Sequence, residues 1–198
     1  MKDHMILHTW NKKMIKLAGE KLTPVQWLIG LRSNGLHQEL QLSDRYGGIS
    51  CSATISDVRK GFGFADLKYS HPYRQSRIYI PVTPAQEDEV FYQACIMADL
   101  LDNFFKWTPE SFVIHHKQMK YMFGPNNIKY DTAGVSLSHI SKRRIWNPSN
   151  ERVWCNESCA LLLRAVWPNV IAPHLPHELT PDETEYLVRH YFDKGVFQ

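Results

Sequence analysis

The chain is poor in the features that usually assign a protein at a glance. Among its 198 residues there is no repeat, no low-complexity tract and no Pro- or Gly-rich linker, which predicts a single domain over residues 1–198. No run approaches the ~18 consecutive apolar residues of a membrane helix, so no membrane span is expected. Met1 to Thr9 carries Lys2, Asp3, His4 and His8 where a secretory signal would carry an apolar core. The four cysteines, Cys51, Cys95, Cys155 and Cys159, contain no CxxC pair. Free thiols and a cytoplasmic setting are therefore the expectation. Charge of one sign is also scarce: the net charge is +3 and the basic residues are scattered. The densest basic run, Lys142-Arg143-Arg144, comes with no recognition motif, so no nucleic-acid partner is expected.

What is present is a set of clear element starts. Thr23-Pro24-Val25-Gln26 reads as a capping threonine, a proline at the first helical position and a glutamine three residues after the cap, opening a helix to about Ser33. Leu36 to Leu42 alternates Leu36, Gln38, Leu40 and Leu42 against His37, Glu39 and Gln41, which is strand period. Tyr46-Gly47-Gly48 marks a turn, Ile49–Ile55 a second strand and Arg77–Val82 a third. Thr83-Pro84-Ala85-Gln86 repeats the helix start. The spacing of Val90, Phe91, Ala94, Cys95, Ala98, Leu101 and Phe105 predicts one long amphipathic helix, with Cys95 a packed core thiol. Gly124-Pro125-Asn126-Asn127 is a loop. Trp154–Trp167 reads as a buried helix ended by Pro168, and Thr180-Pro181 starts a last helix with Tyr186, Leu187, His190 and Tyr191 inward. Helices and antiparallel-looking strands are segregated along the chain, which predicts an α+β fold.

Two distant segments carry chemistry. His37 and Glu39 stand two apart on a strand and so share a face. Cys155 precedes Asn156-Glu157-Ser158-Cys159-Ala160 and falls in the first turn of a helix. There the helix dipole and a nearby imidazolium would both favour the thiolate, and free N–H groups would be natural oxyanion donors. Glu39 would orient His37 and stabilise its charged form. Taken singly, Cys155 reads as a small buried residue and His37 with Glu39 as a polar strand face. It is their combination that points to nucleophilic catalysis.

The strings Gly35-Leu36-His37-Gln38-Glu39-Leu40, Lys129-Tyr130-Asp131 after Gly124, and Trp154-Cys155-Asn156-Glu157-Ser158 resemble, in this order, the motifs of the circularly permuted papain-like (NlpC-type) cysteine hydrolases. Leu175-Pro176 with Thr180-Pro181 is similar to their Pro-rich tail. The resemblance covers about Thr23 to Leu187. It implies a cysteine-bearing helix packed on a small antiparallel sheet that holds the histidine. Cys155 would be the nucleophile, His37 the base and Glu39 the third polar residue; Tyr130 and Asn156 would be substrate or oxyanion contacts. Leu36 stands where that family commonly has serine, and Asn156 replaces the serine after the cysteine. The family cleaves amide bonds in cell-wall peptides, and some branches act on acyl-lipids or transfer acyl groups. The implied activity is a thiol hydrolase acting on an amide or peptide-like bond, with a peptide or acyl substrate and no cofactor.

Three other readings compete. An acyltransferase or lipid-acyl thioesterase would use the same scaffold. A non-catalytic binding protein would line a groove with some of the six tryptophans and nine tyrosines, and would lack a selectively reactive thiol. Cys155, Cys159, His174 and His177 form a C-x3-C-x14-H-x2-H pattern, but H-x2-H is short for zinc and the intervening residues read as an apolar helix. His115-His116 is an isolated pair.

Overall fold

Thr83 and Thr108 each precede a proline, and each starts a helix. In both, the threonine hydroxyl accepts from the backbone N–H three residues on, and that residue's side chain returns to the threonine N–H. The structure, a computed structural model, describes residues 4–13, 21–22, 24–31, 33–55, 60–66, 76–104, 106–131 and 152–193. The elements in chain order are β1 (His4–Asn11), α1 (Pro24–Ile29), β2 (Gly35–Gln41), β3 (Ser50–Ile55), β4 (Lys60–Ala65), β5 (Ser76–Pro81), α2 (Pro84–Met97), α3 (Leu101–Phe104), α4 (Pro109–Met119), β6 (Tyr121–Met122), β7 (Lys129–Tyr130), β8 (Arg152–Val153), α5 (Cys155–Val166) and α6 (Pro181–Asp193). Thr23, Phe105 and Lys142-Arg143-Arg144 lie outside the described residues.

Six strands form one antiparallel sheet in the order β5-β1-β2-β3-β4-β6, so the fold is mixed α+β. Register explains its two faces. Ile78, Leu7, Leu40, Cys51 and Phe64 pair in one row across five strands, and Ile80 pairs with Met5 and Ala53 with Phe62 on the same side. These residues share the main core with Val90, Phe91, Ala94 and Cys95 of α2 and Cys159, Ala160, Leu162 and Leu163 of α5. The other face carries buried Trp10 opposite His37, buried His8 opposite Glu39, and half-buried Gln41 opposite buried Ser50.

Several expected elements differ in extent. α1 stops at Ile29 rather than Ser33; the Lys12 ammonium takes the carbonyl of Gly30 there, and Gly30 is a poor helix former. The long helix from Pro84 breaks after Met97, because the Gly124–Ile128 loop docks on its end. Gly124 N–H donates to the Ala98 carbonyl (2.7 Å) and Ile128 N–H to that of Met97 (2.9 Å). Asp99 turns left-handed (φ 59°) and accepts the Asn126 N–H at 2.8 Å. On α6 Thr184, Val188 and Phe192 are buried and Leu187 and Tyr191 pack against the core, as expected for the latter two, while Tyr186 and His190 are exposed, which corrects their expected inward placement. β1, β4 and α4 were not foreseen. Cys95 is buried on α2, as its spacing predicts.

Candidate active site

The site lies where the sheet splits. β2 and β3 pair only through Leu40–Cys51 and Gln41–Ser50. Leu42 N–H bonds to the Ile49 carbonyl in the same ladder (2.9 Å), so the next hydrogen-bonded pair in register would be Gln38 with Ala53. Instead α5 occupies the gap. Ala53 N–H donates to Ser158 Oγ at 3.3 Å, and the Gln38 N–H points to the Cys155 sulfur. Ser52 Oγ donates to the Gln38 carbonyl at 2.8 Å. The strand groups freed by the split are thus satisfied by the first turn of α5, and this insertion seats Cys155 against β2.

Helix chemistry prepares the thiol. The residue before Cys155 is Trp154, which has no side-chain acceptor for the first-turn N–H groups. The Asn156 N–H turns to the Cys155 sulfur instead. Ser158 Oγ donates to the Cys155 carbonyl (2.7 Å), and the Asn156 side-chain amide donates to the Leu179 carbonyl (2.6 Å). Of Asn156, then, the backbone faces the sulfur and the side chain ties α5 to the chain leading into α6.

His37 lies between the thiol and a carboxylate. Its Nε2 is 2.9 Å from Glu39 Oε1, and it is hydrogen-bonded to Cys155, which leaves Nδ1 for the sulfur. Glu39 Oε2 lies 2.8 Å from Ser50 Oγ. Trp10 packs on the imidazole with ring centroids 5.5 Å apart, and His8 stacks on Trp10 at 5.7 Å. The groups are closely shielded: Cys155 and Glu39 are 1% exposed and His37 6%.

Burial alone would neutralise both groups. It pushes the Cys155 thiol up, yet the His37 charge, its hydrogen bond to the sulfur and the Gln38 and Asn156 N–H groups together carry the thiol below its ordinary value. Burial pushes His37 down, yet Cys155 and Glu39 carry it above its ordinary value. The two shifts have the sense of a thiolate–imidazolium pair. The other thiols go the opposite way. Burial pushes Cys95 up to about 12, and burial raises Cys51 and Cys159 as well.

Tyr130 reaches the same sulfur. The Phe62 N–H donates to the Ile128 carbonyl (2.8 Å), and Asp131 N–H to that of Val153 (2.9 Å), so the strand pair β7–β8 carries Tyr130 beside Cys155. Its hydroxyl is hydrogen-bonded to Cys155, and burial with the adjacent sulfur charge keeps it protonated as a donor. Leu36, Ile29, Trp10 and Trp154 form a small apolar cluster against Tyr130, apart from the main core.

The structure therefore brings together Cys155, His37, Glu39, Tyr130 and the Asn156 backbone. Sequence reasoning missed Ser50, Trp10 and the Gln38 N–H. No alternation of polarity marks β1, because Leu7 with Thr9 on one face and His8 with Trp10 on the other are all buried. Nothing local marks Ser50 or the Gln38 N–H. Among the described residues no three His, Cys, Asp or Glu side chains gather as they would around a metal ion. His174 lines a cavity of about 280 Å3 with Leu179, Asp182, Glu183, Tyr186 and Leu187. Its two carboxylates are engaged: Asp182 accepts the Asn34 and Gly35 N–H groups (both 2.7 Å), and Glu183 accepts that of Thr180 (2.8 Å). Asp182 thereby fixes the start of the strand that carries His37. Among the described residues no helix is long and apolar enough to cross a membrane.

Comparison of this chain with protein-family models, curated proteins and solved structures found no significant match.

Proposed function

We propose that this protein is a thiol hydrolase that cleaves an amide or peptide-like bond through an acyl-enzyme on Cys155, on a circularly permuted papain-like scaffold. The observation that carries the reading is the position of His37, hydrogen-bonded both to a thiol at a helix start and to a buried carboxylate. Supporting it is the motif order: histidine strand, tyrosine segment, cysteine helix.

In this mechanism the Cys155 thiolate attacks the carbonyl carbon, forming a C–S bond and moving the carbonyl π pair onto oxygen. Tyr130 O–H and the N–H groups at the helix start stabilise that oxyanion. The tetrahedral intermediate collapses, the C–N bond breaks, and His37 gives its proton to the departing amine. The thioester remains. Water then attacks it while neutral His37 takes one of the water protons. The C–S bond breaks, a carboxylic acid leaves, and the thiolate–imidazolium pair is restored. Glu39 holds the imidazole and stabilises its charged form at both stages.

The test is a screen of cell-wall peptides, isopeptides and acyl esters with the wild-type protein and the Cys155→Ala variant. Mass spectrometry should trap an acyl group on Cys155 with a slow substrate. Full activity in Cys155→Ala, or an acyl adduct on another residue, would overturn the reading.

A further inference from the structure

We propose that Ser50 is a positioning residue of this site: its hydroxyl holds the Glu39 carboxylate in the orientation that pairs Oε1 with His37 Nε2 and leaves Nδ1 turned to Cys155. The inference rests on the thiol-hydrolase reading and extends it by one residue, on a strand that carries no other part of the reaction.

The charge on Glu39 decides which way the hydroxyl donates. Ser50 Oγ lies 2.8 Å from Glu39 Oε2 and 3.0 Å from the Ala65 carbonyl, and it has one proton for two acceptors. An ionised carboxylate has no proton to give, so the closer pairing requires Ser50 to donate to Glu39. Were Glu39 protonated, it would donate to Ser50, and Ser50 would turn to Ala65. The hydroxyl direction is thus linked to the charge on Glu39. Place matters as much as distance. Ser50 is opposite Gln41 on β2 and opposite Ala65 on β4, so its Cβ is fixed from both sides by ladder pairing. Glu39 is a longer side chain on a neighbouring strand and needs such an anchor to keep one oxygen on His37. Ser50 is 2% exposed, so no bulk solvent replaces the donor if it is removed. The titratable groups around Glu39 are His37 on its own strand, His8 opposite it on β1, and Cys51 and Cys159 on β3 and α5.

The experiment measures the rate of Cys155 alkylation by iodoacetamide from pH 5 to 9.5, by mass spectrometry of the Cys155 peptide. It compares wild type, Ser50→Ala, Ser50→Thr, Glu39→Gln and the double variant Ser50→Ala with Glu39→Gln. Ser50→Ala should lower the rate near neutral pH by about threefold to tenfold, the worth of one charge-assisted hydrogen bond passed on through Glu39. It should also move the thiolate limb to higher pH. Ser50→Thr keeps the hydroxyl and should restore the wild-type profile. In the Glu39→Gln background, Ser50→Ala should add nothing, because Ser50 acts through that carboxylate. A Ser50→Ala variant that melts lower but keeps the wild-type pH profile overturns the proposal, since a merely structural serine would do that. Effects that multiply in the double variant overturn it too. If Ser50→Ala does not fold, Ser50→Cys carries the test, because a thiol is a weak donor and should give the same shift at smaller size; an unchanged profile there refutes the positioning role. A wild-type protein with no acid-shifted thiol at Cys155 would instead refute the hydrolase reading itself.

Discussion

Replacing His37 by Gln tests the ion pair directly. Gln can still donate an amide N–H to Glu39 Oε1, so the buried carboxylate keeps a partner, but the cation beside the sulfur is gone. The size of the effect follows from comparing thiols in the same protein. Burial opposes ionisation at Cys155 as it does at Cys95, and at Cys95, where no cation offsets it, the thiol is pushed up to about 12. Without His37, the Cys155 limb should move from below the ordinary 9.0 toward that value. The Gln38 and Asn156 N–H groups remain and hold it part of the way back. Each tenfold loss of thiolate at neutral pH accompanies one unit of that upward displacement. The more basic thiolate is intrinsically more nucleophilic, with a Brønsted slope of roughly 0.4–0.5, which returns a little under half of that loss on a logarithmic scale. The alkylation rate at pH 7 should therefore fall by more than about threefold, with the thiolate limb displaced to higher pH. The assay is timed iodoacetamide labelling read by mass spectrometry, with Cys51, Cys95 and Cys159 as internal references. In wild type Cys155 should label before these three. A His37→Gln protein that labels Cys155 within threefold of the wild-type rate at pH 7, with an unmoved limb, would refute the ion pair and the role assigned to His37.

Four further outcomes are expected. Cys155→Ala should abolish turnover of any amide substrate found, and Glu39→Gln should lower kcat/KM by less than a His37 replacement does, where general acid–base loss is typically ~10²–10⁴-fold; steady-state kinetics on the three variants decide the order. Turnover by the wild type should fall as pH drops through the lowered Cys155 value, which removes the thiolate, and fall again as pH rises through the raised His37 value, which removes the leaving-group proton; a profile with one limb only would contradict the pair. Burial carries Glu157 up to about 8, so the folded state binds a proton there more tightly than the unfolded chain does, and this contribution is full at acid pH and lost as pH rises through 8. Glu157→Gln keeps an acceptor for the Trp154 N–H and should flatten the fall in Tm between pH 5 and 9, raising stability at the alkaline end by a few kcal/mol at order of magnitude; an unchanged pH slope would refute this. Gly61 holds φ +104° where the Ile128 carbonyl approaches β4, so Gly61→Ala should cost about 2–4 kcal/mol in denaturant unfolding, and a loss under 1 kcal/mol would refute the strain argument.

The sequence made some of this legible and hid the rest for physical reasons. Helix starts were readable because a Thr-Pro pair acts within four residues: Thr83 and Thr180 both cap where expected. The strand with His37 was readable because its side chains alternate. β1 was not, because its residues are buried on both faces from Leu7 to Trp10, which blurs any alternation of apolar and polar. The break after Met97 was hidden because its cause is a loop more than twenty residues further on. Of the site, Cys155, His37 and Glu39 were legible as types in a pattern. Tyr130 meets the Cys155 sulfur, and the polar face that His37 and Glu39 form on their strand is buried rather than exposed. Ser50 had no local signature at all: a serine near the start of a strand is ordinary, and its significance comes only from the register that sets it beside Glu39.

The split between β2 and β3 links the fold to the chemistry. A continuous ladder would pair Gln38 with Ala53 and leave no room for a third element. Opening it exposes strand N–H groups that must find partners in a dry interior. The start of α5 supplies two of them, Cys155 sulfur for Gln38 and Ser158 Oγ for Ala53. A hydroxyl is an ordinary acceptor for an N–H; a neutral thiol is a weak one and a thiolate a strong one. The same insertion that completes the sheet's hydrogen bonding therefore favours the charged sulfur, in addition to what His37 contributes from the side. This predicts that Cys155→Ser, whose neutral hydroxyl accepts the Gln38 N–H without ionising, should fold at least as stably as Cys155→Ala, while remaining inert to iodoacetamide at that position. Thermal unfolding of the two variants checks it, and a Cys155→Ser protein markedly less stable than Cys155→Ala would show that the Gln38 N–H does not depend on residue 155 for its partner.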